Sequence, residues 1–123
     1  MTIMEALEKI DALKHNAYSQ QEKITWLSRL DAMVKAQIID THQGGEQVDF
    51  QGYGPQTPLD TVLLAPEPFD EMYLHWLGAQ MDYHNGEADR YNAAIVLFNA
   101  VYDGFANYYN RTRMAKGRAW RYF

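Results

Sequence analysis

Between Leu74 and Tyr109, apolar residues recur at alternating steps of three and four, the spacing of one helical seam. Leu74, Leu77, Met81, His84, Ala88, Tyr91, Ile95, Phe98, Tyr102, Phe105 and Tyr109 keep this heptad-like phase throughout. The phase passes unchanged through "HNGEADR" at 84–90, although Asn-Gly is a turn signal. Glycine inside a helix costs only about 1 kcal/mol relative to alanine, so an apolar seam can override it. Retained phase therefore predicts one helix with a local kink, or two nearly collinear helices. A straight helix of about 42 residues would run about 60 Å, too long for a globule of this size. The kink or break is placed at Asn85–Gly86.

Upstream, Thr2 with Glu5 and Ser19 with Glu22 match the S/T-x-x-E capping box. Ile3, Ala6, Leu7, Ile10 and Leu13 then fall on one face of a first helix. Ile24, Leu27, Leu30, Met33, Val34 and Ile38 mark a second, which Gly44 and Gly45 end. Residues 42–60 contain four glycines and two prolines, which exclude a regular helix. Phe50 and Tyr53 inside this loop either pin it to the core or are available to a partner. "TVLLA" at 61–65 reads as a short strand or an apolar strap. Pro66 and Pro68 prepare another helix start, with Asp70 and Glu71 in its first turn. The expected fold is all-α: a helical bundle with a long, kinked C-terminal helix or helix pair and an irregular 42–65 loop.

A chain of 123 residues is one domain's worth, able to bury roughly two-thirds of its unfolded surface. With 47% hydrophobic residues it is not a disordered chain. The absence of cysteine fits a reducing cytosol and excludes disulfides, thiolate metal sites and cysteine nucleophiles. The start "MTIMEALEKIDALK" is amphipathic and acidic, unlike a signal peptide. The longest apolar runs, such as "AAIVLF" at 93–98, are far short of the 18 or so residues a membrane span needs, so no membrane partner is expected.

No catalytic signature stands out, and neither an enzyme nor a bound cofactor is expected. His84, Glu87 and Asp89 lie close together, and Glu71 and His75 stand four apart, but neither H-E-x-x-H nor paired E-x-x-H is present. There is no G-x-S-x-G elbow, and "GYGPQT" lacks the G-K-[ST] of a phosphate loop.

Net charge is −5, yet residues 110–123 hold five of the eleven basic residues and no acid. Six bases against sixteen acids leave the other 109 residues at −10. The division expected is a helical domain over 1–109 and a basic, aromatic tail over 110–123. Arg111, Arg113, Lys116, Arg118, Trp120, Arg121, Tyr122 and Phe123 are the candidate partner-binding residues of that tail. Cationic and aromatic groups together also suit a phosphate backbone, so a helical nucleic-acid-binding or regulatory protein is the alternative reading. An acidic body weighs against it.

Asn85, Asn92 and Asn99 recur every seven residues beside the seam, where amides can fix register between helices. Six tyrosines between Tyr73 and Tyr109 bring more aromatic area than two short partner helices would need to cover. Asn85, Tyr91, Asn92, Asn99 and Tyr102 are accordingly the candidate subunit-packing residues, and self-assembly or docking to a larger protein is expected.

Two stretches, "LKHNAYSQQEKITWLSRLD" (13–31) and residues 66–112, resemble a family of small prophage-encoded proteins of Gram-positive bacteria. The most specific part is D-Y-x-N-G-E-x-x-R-Y-N, Asp82 to Asn92. That family is similar to the helical head–tail connector, or adaptor, proteins of long-tailed phages. The resemblance implies a structural virion protein of the neck, in a closed ring of about twelve copies. Such a ring would sit under the portal protein, meet a stopper or tail-completion protein below, and continue the channel for DNA passing without sequence specificity. It implies assembly in the bacterial host cytoplasm, and a C-terminal segment reaching the portal.

Overall fold

The computed structural model describes residues 1–116. Among them are four α-helices: α1 (Ile3–Leu13), α2 (Gln20–Val34), α3 (Glu71–His84) and α4 (Ala88–Thr112). The helical bundle expected from the sequence is what forms. None of these helices is long and apolar enough to cross a membrane.

Local signals start the first two helices. The Glu5 N–H donates to the Thr2 hydroxyl and the Thr2 N–H to the Glu5 carboxylate, both at 3.1 Å, closing a reciprocal capping box. At Ser19 only half of the box closes. Glu22 N–H donates to the Ser19 hydroxyl at 3.1 Å, but the Glu22 carboxylate accepts a hydrogen bond from that hydroxyl at 3.3 Å rather than from a backbone N–H. α1 buries Ile3, Ala6, Leu7 and Ile10, and α2 buries Ile24, Trp26, Leu27, Leu30 and Val34.

α2 then continues into a π turn over Lys35–Ile39, closed by the Asp40 N–H donating to the Lys35 carbonyl at 2.8 Å. The wider turn advances the phase, so Ile38 and Ile39 are both buried although they are adjacent. The chain reverses at Gly44 and Gly45. A Cβ on Gly45 would lie 2.4 Å from the Ile39 carbonyl oxygen, so only glycine fits there.

Residues 59–63 form a strap rather than a sheet strand. Their carbonyls accept the exposed N-terminal amides of α1: Ile3 N–H to Thr61 O at 3.0 Å and Met4 N–H to Leu59 O at 2.9 Å. A single antiparallel bridge joins Thr2 to Val62.

The second half corrects one expectation. α3 and α4 are two helices, but not collinear: they fold back on each other as an antiparallel hairpin. Tyr83 meets Tyr91 at 5.7 Å between ring centroids, Trp76 meets Phe98 at 5.2 Å, and Phe69 meets Phe105 at 5.3 Å. Each pair is equidistant along the chain from Glu87, the signature of reversal there. Gly86 has φ +74°. Glu87 N–H donates to Asp82 O at 2.9 Å, and Gly86 N–H to Tyr83 O at 3.1 Å, which is a Schellman stop. The two seams do not face each other. Tyr91, Phe98 and Phe105 of α4 meet Tyr83, Trp76 and Phe69, which lie off the seam. His84 of the α3 seam stacks on Trp26 of α2.

Candidate partner-binding surfaces

Most of the aromatic area expected to be surplus is absorbed by the chain itself. Tyr73, Phe98, Phe105 and Tyr109 are buried, while Trp76, Tyr102 and Tyr108 are partly buried against the core. The Trp76 indole N–H donates to the Trp26 carbonyl at 2.9 Å, tying α3 to α2. The hairpin gives these rings partners that a collinear pair would have lacked, so their number does not by itself point to a shared surface.

Tyr83 stays 64% exposed at the hairpin tip, and the rest of the open apolar surface among the described residues is non-aromatic. Val96 is 67% exposed and Leu97 54%, on the outer side of α4, and Leu13 at the end of α1 is 71% exposed. Exposed Asn92 and Asn99 flank this face, and no charged side chain occurs between Arg90 and Asp103. The other three candidate packing residues have partners within the chain. The Tyr18 hydroxyl donates to the Asn85 side chain at 2.5 Å, Tyr91 lies against Tyr83, and the Tyr102 hydroxyl donates to Gln37 at 2.7 Å.

The loop residue Tyr53 pins rather than presents. Its hydroxyl donates to Asp31 at 2.5 Å and its N–H to the Ser28 hydroxyl at 3.0 Å, while Phe50 packs edge-on against its ring. Asp31, fully buried, is the polar centre that sequence reasoning missed. It also accepts the Tyr73 hydroxyl at 2.6 Å and the Leu64 N–H at 3.1 Å, joining α2, α3, the loop and the strap. Burial raises its carboxyl above the usual aspartate range, the three donors opposing that rise. Both tyrosine hydroxyls are pushed up, by burial first and then by the neighbouring carboxylate, and so remain donors. An aspartate close to the apolar stripe of α2 was the one available signal.

At the other end, α4 runs to Thr112, so the stretch read as tail begins inside a helix. Residues 113–116 then return against the turn after the π segment. Gln43 N–H donates to Met114 O at 2.8 Å and Lys116 N–H to Thr41 O at 3.0 Å. Arg113 stacks 4.1 Å from the Tyr109 ring centroid, Lys116 lies 3.8 Å from Glu46, and Arg111 is exposed. Buried His42 anchors this corner, its Nδ1 2.6 Å from the Ile38 carbonyl and its Nε2 2.8 Å from the Asn110 side-chain oxygen. Arg118, Trp120, Arg121, Tyr122 and Phe123 lie outside the described residues.

The titratable cluster at the hairpin tip is dispersed. His84 stacks on Trp26 at 5.5 Å, and Glu87 pairs with Arg90 at 3.1 Å. Among the described residues no three His, Asp or Glu side chains converge as metal ligands would. Among the described residues a groove of about 430 Å³ lies between α1, α3 and α4. Ile10, Leu13, Leu74 and Leu97 wall it, and Asp82 lies at its buried base.

No family model, no curated protein and no solved structure matches this chain.

Proposed function

We propose that this chain is a structural subunit of a tailed-phage or prophage neck, a head–tail connector. It would form a ring with copies of itself, join the portal to the tail side, and continue the DNA channel. The observation that carries this reading is the outer face of α4. Across a 25-residue helix, Val96 and Leu97 stand open between two outward amides, with no charge to oppose a neighbouring copy. Exposed apolar surface of this kind suits side-to-side helical packing. The −10 balance of residues 1–109 supports a lining along which DNA slides rather than sticks. The basic C-terminal end supports contact with a second ring, and the resemblance over Asp82–Asn92 points the same way. The role is one of assembly, without catalysis.

Mixing the pure chain with its cognate portal and imaging the product by electron microscopy tests this. Rings seated on the portal are expected. Failure to form any complex, with or without residues 110–123, overturns it. The nucleic-acid reading is weaker, because Arg113 and Lys116 are already engaged by Tyr109 and Glu46. A salt-dependent gel shift lost in Arg111→Ala/Arg113→Ala would favour that reading instead.

A further inference from the structure

The groove between α1, α3 and α4 has an apolar wall and an anionic base, and nothing among the described residues fills it. Leu13 and Leu97 open onto solvent at its rim. Glu71 and Asp82 give it two carboxylates against one lysine, Lys14, with His75 beside them. Asp82 is only 3% exposed, and its Oδ1 accepts no hydrogen bond. Lys14 Nζ stands 2.5 Å from that oxygen, so the buried carboxylate already has its cation. Glu71, exposed at the groove and without an ion partner among the described residues, leaves a net negative charge beside the apolar wall, which suits a cation carried on an apolar segment.

The chain contains one such segment. Residues 117–123, "GRAWRYF", combine Arg118 and Arg121 with Trp120, Tyr122 and Phe123 and carry no acid. We infer that this segment of one copy docks in the α1–α3–α4 groove of a second copy, its rings against Leu13, Leu74 and Leu97 and an arginine toward Glu71. Chain length favours the second copy over the first. Lys116 is held beside Thr41, next to the C-terminal end of α4. Leu97 lies fifteen residues back from Thr112, roughly 22 Å along the helix. Seven residues at full extension span at most roughly 25 Å, leaving no slack to pass around α4. A neighbour's groove imposes no such stretch. Tail into groove is a head-to-tail contact, which propagates from copy to copy. The inference does not depend on the neck reading, and portal binding does not test it.

Complementation between two defective full-length chains tests it by sedimentation velocity. Gly78→Leu fills the groove, since a Cβ at Gly78 meets nothing nearer than the Ile10 Cδ1 at 4.0 Å, and it replaces glycine within a helix. Trp120→Ala/Arg121→Glu disables the tail, with circular dichroism checking that the chain stays folded. The native chain is expected to self-associate with concentration, more weakly in high salt, and each variant to lose about tenfold or more in affinity. An equimolar mixture of the two regains association, because one partner supplies an intact tail and the other an intact groove. A native chain that stays monomeric overturns the inference. So does a helical, folded Gly78→Leu chain that associates like the native one, or a mixture of folded variants that stays apart.

Discussion

The Tyr73 hydroxyl donates to the Asp31 carboxylate at 2.6 Å while accepting the Ala65 N–H at 2.7 Å, so one phenol couples α3, α2 and the strap. Tyr73→Phe removes a donor from a buried carboxylate and orphans a buried amide at once. A loss of about 1–3 kcal/mol is expected, read by urea unfolding followed by circular dichroism. A change within experimental error would show that water replaces the phenol.

Asp31 also sets a pH dependence. Its folded carboxyl is raised above the ordinary value of 3.8, so between those two values the folded chain holds a proton that the unfolded chain has lost. Stability from this group falls as pH rises from about 3.8 through the raised value. Unfolding curves of native chain and Asp31→Asn across that window give the test. The difference between them should shift against the native chain as pH rises, and a constant difference would contradict it.

Asp11 works in the opposite sense. The buried Lys23 ammonium at 2.7 Å, then the Asn16 amide, hold its carboxyl below the ordinary range. Its contribution is present above pH about 3.8 and is lost as pH falls through the lowered value. Asp11→Ala should flatten the acid limb of the stability profile, at a cost of about 1 kcal/mol or less because the Asp11 carboxylate is half exposed to solvent.

Two glycines are required for different reasons, and substitution should separate them. Gly86 has positive φ but open space around it, so Gly86→Ala should cost about 1–2 kcal/mol, the left-handed penalty alone. Gly45→Ala drives a Cβ into the Ile39 carbonyl and should cost more. Denaturant midpoints of the two variants decide the order.

Val96→Glu replaces a side chain that already faces solvent, so stability should move by no more than about 0.5 kcal/mol. If the outer face of α4 joins copies in the neck, the same substitution should abolish ring formation on the portal in electron micrographs. Rings formed normally by this variant would remove α4 from the interface.

Local chemistry was legible in the residues. Thr2 and Ser19 cap as their side chains require, most seam positions are buried or half-buried, and Asn85–Gly86 is where the long helical pattern stops. The turn at 44–45 was placed, though not the π turn before it, because a π turn leaves no compositional mark. Of the surface residues singled out, Asn92 and Asn99 do face outward. Asn85, Tyr91 and Tyr102 found partners inside the chain.

Periodicity reports which face of a helix is apolar but carries no information about the direction in which the next helix runs. That is why unbroken phase across Gly86 suited a straight pair and a hairpin equally, and only the packing of Trp76 on Phe98 decided between them. Asp31 shows the same limit from another side. Its neighbours in sequence are ordinary helix residues, and the three donors that make its burial tolerable arrive from the loop, the strap and α3. Short-range sterics and capping act within a turn or two of chain, so the sequence alone determined them. Pairing between groups twenty or more residues apart depends on how whole elements fill a shared core, and that was settled only in three dimensions.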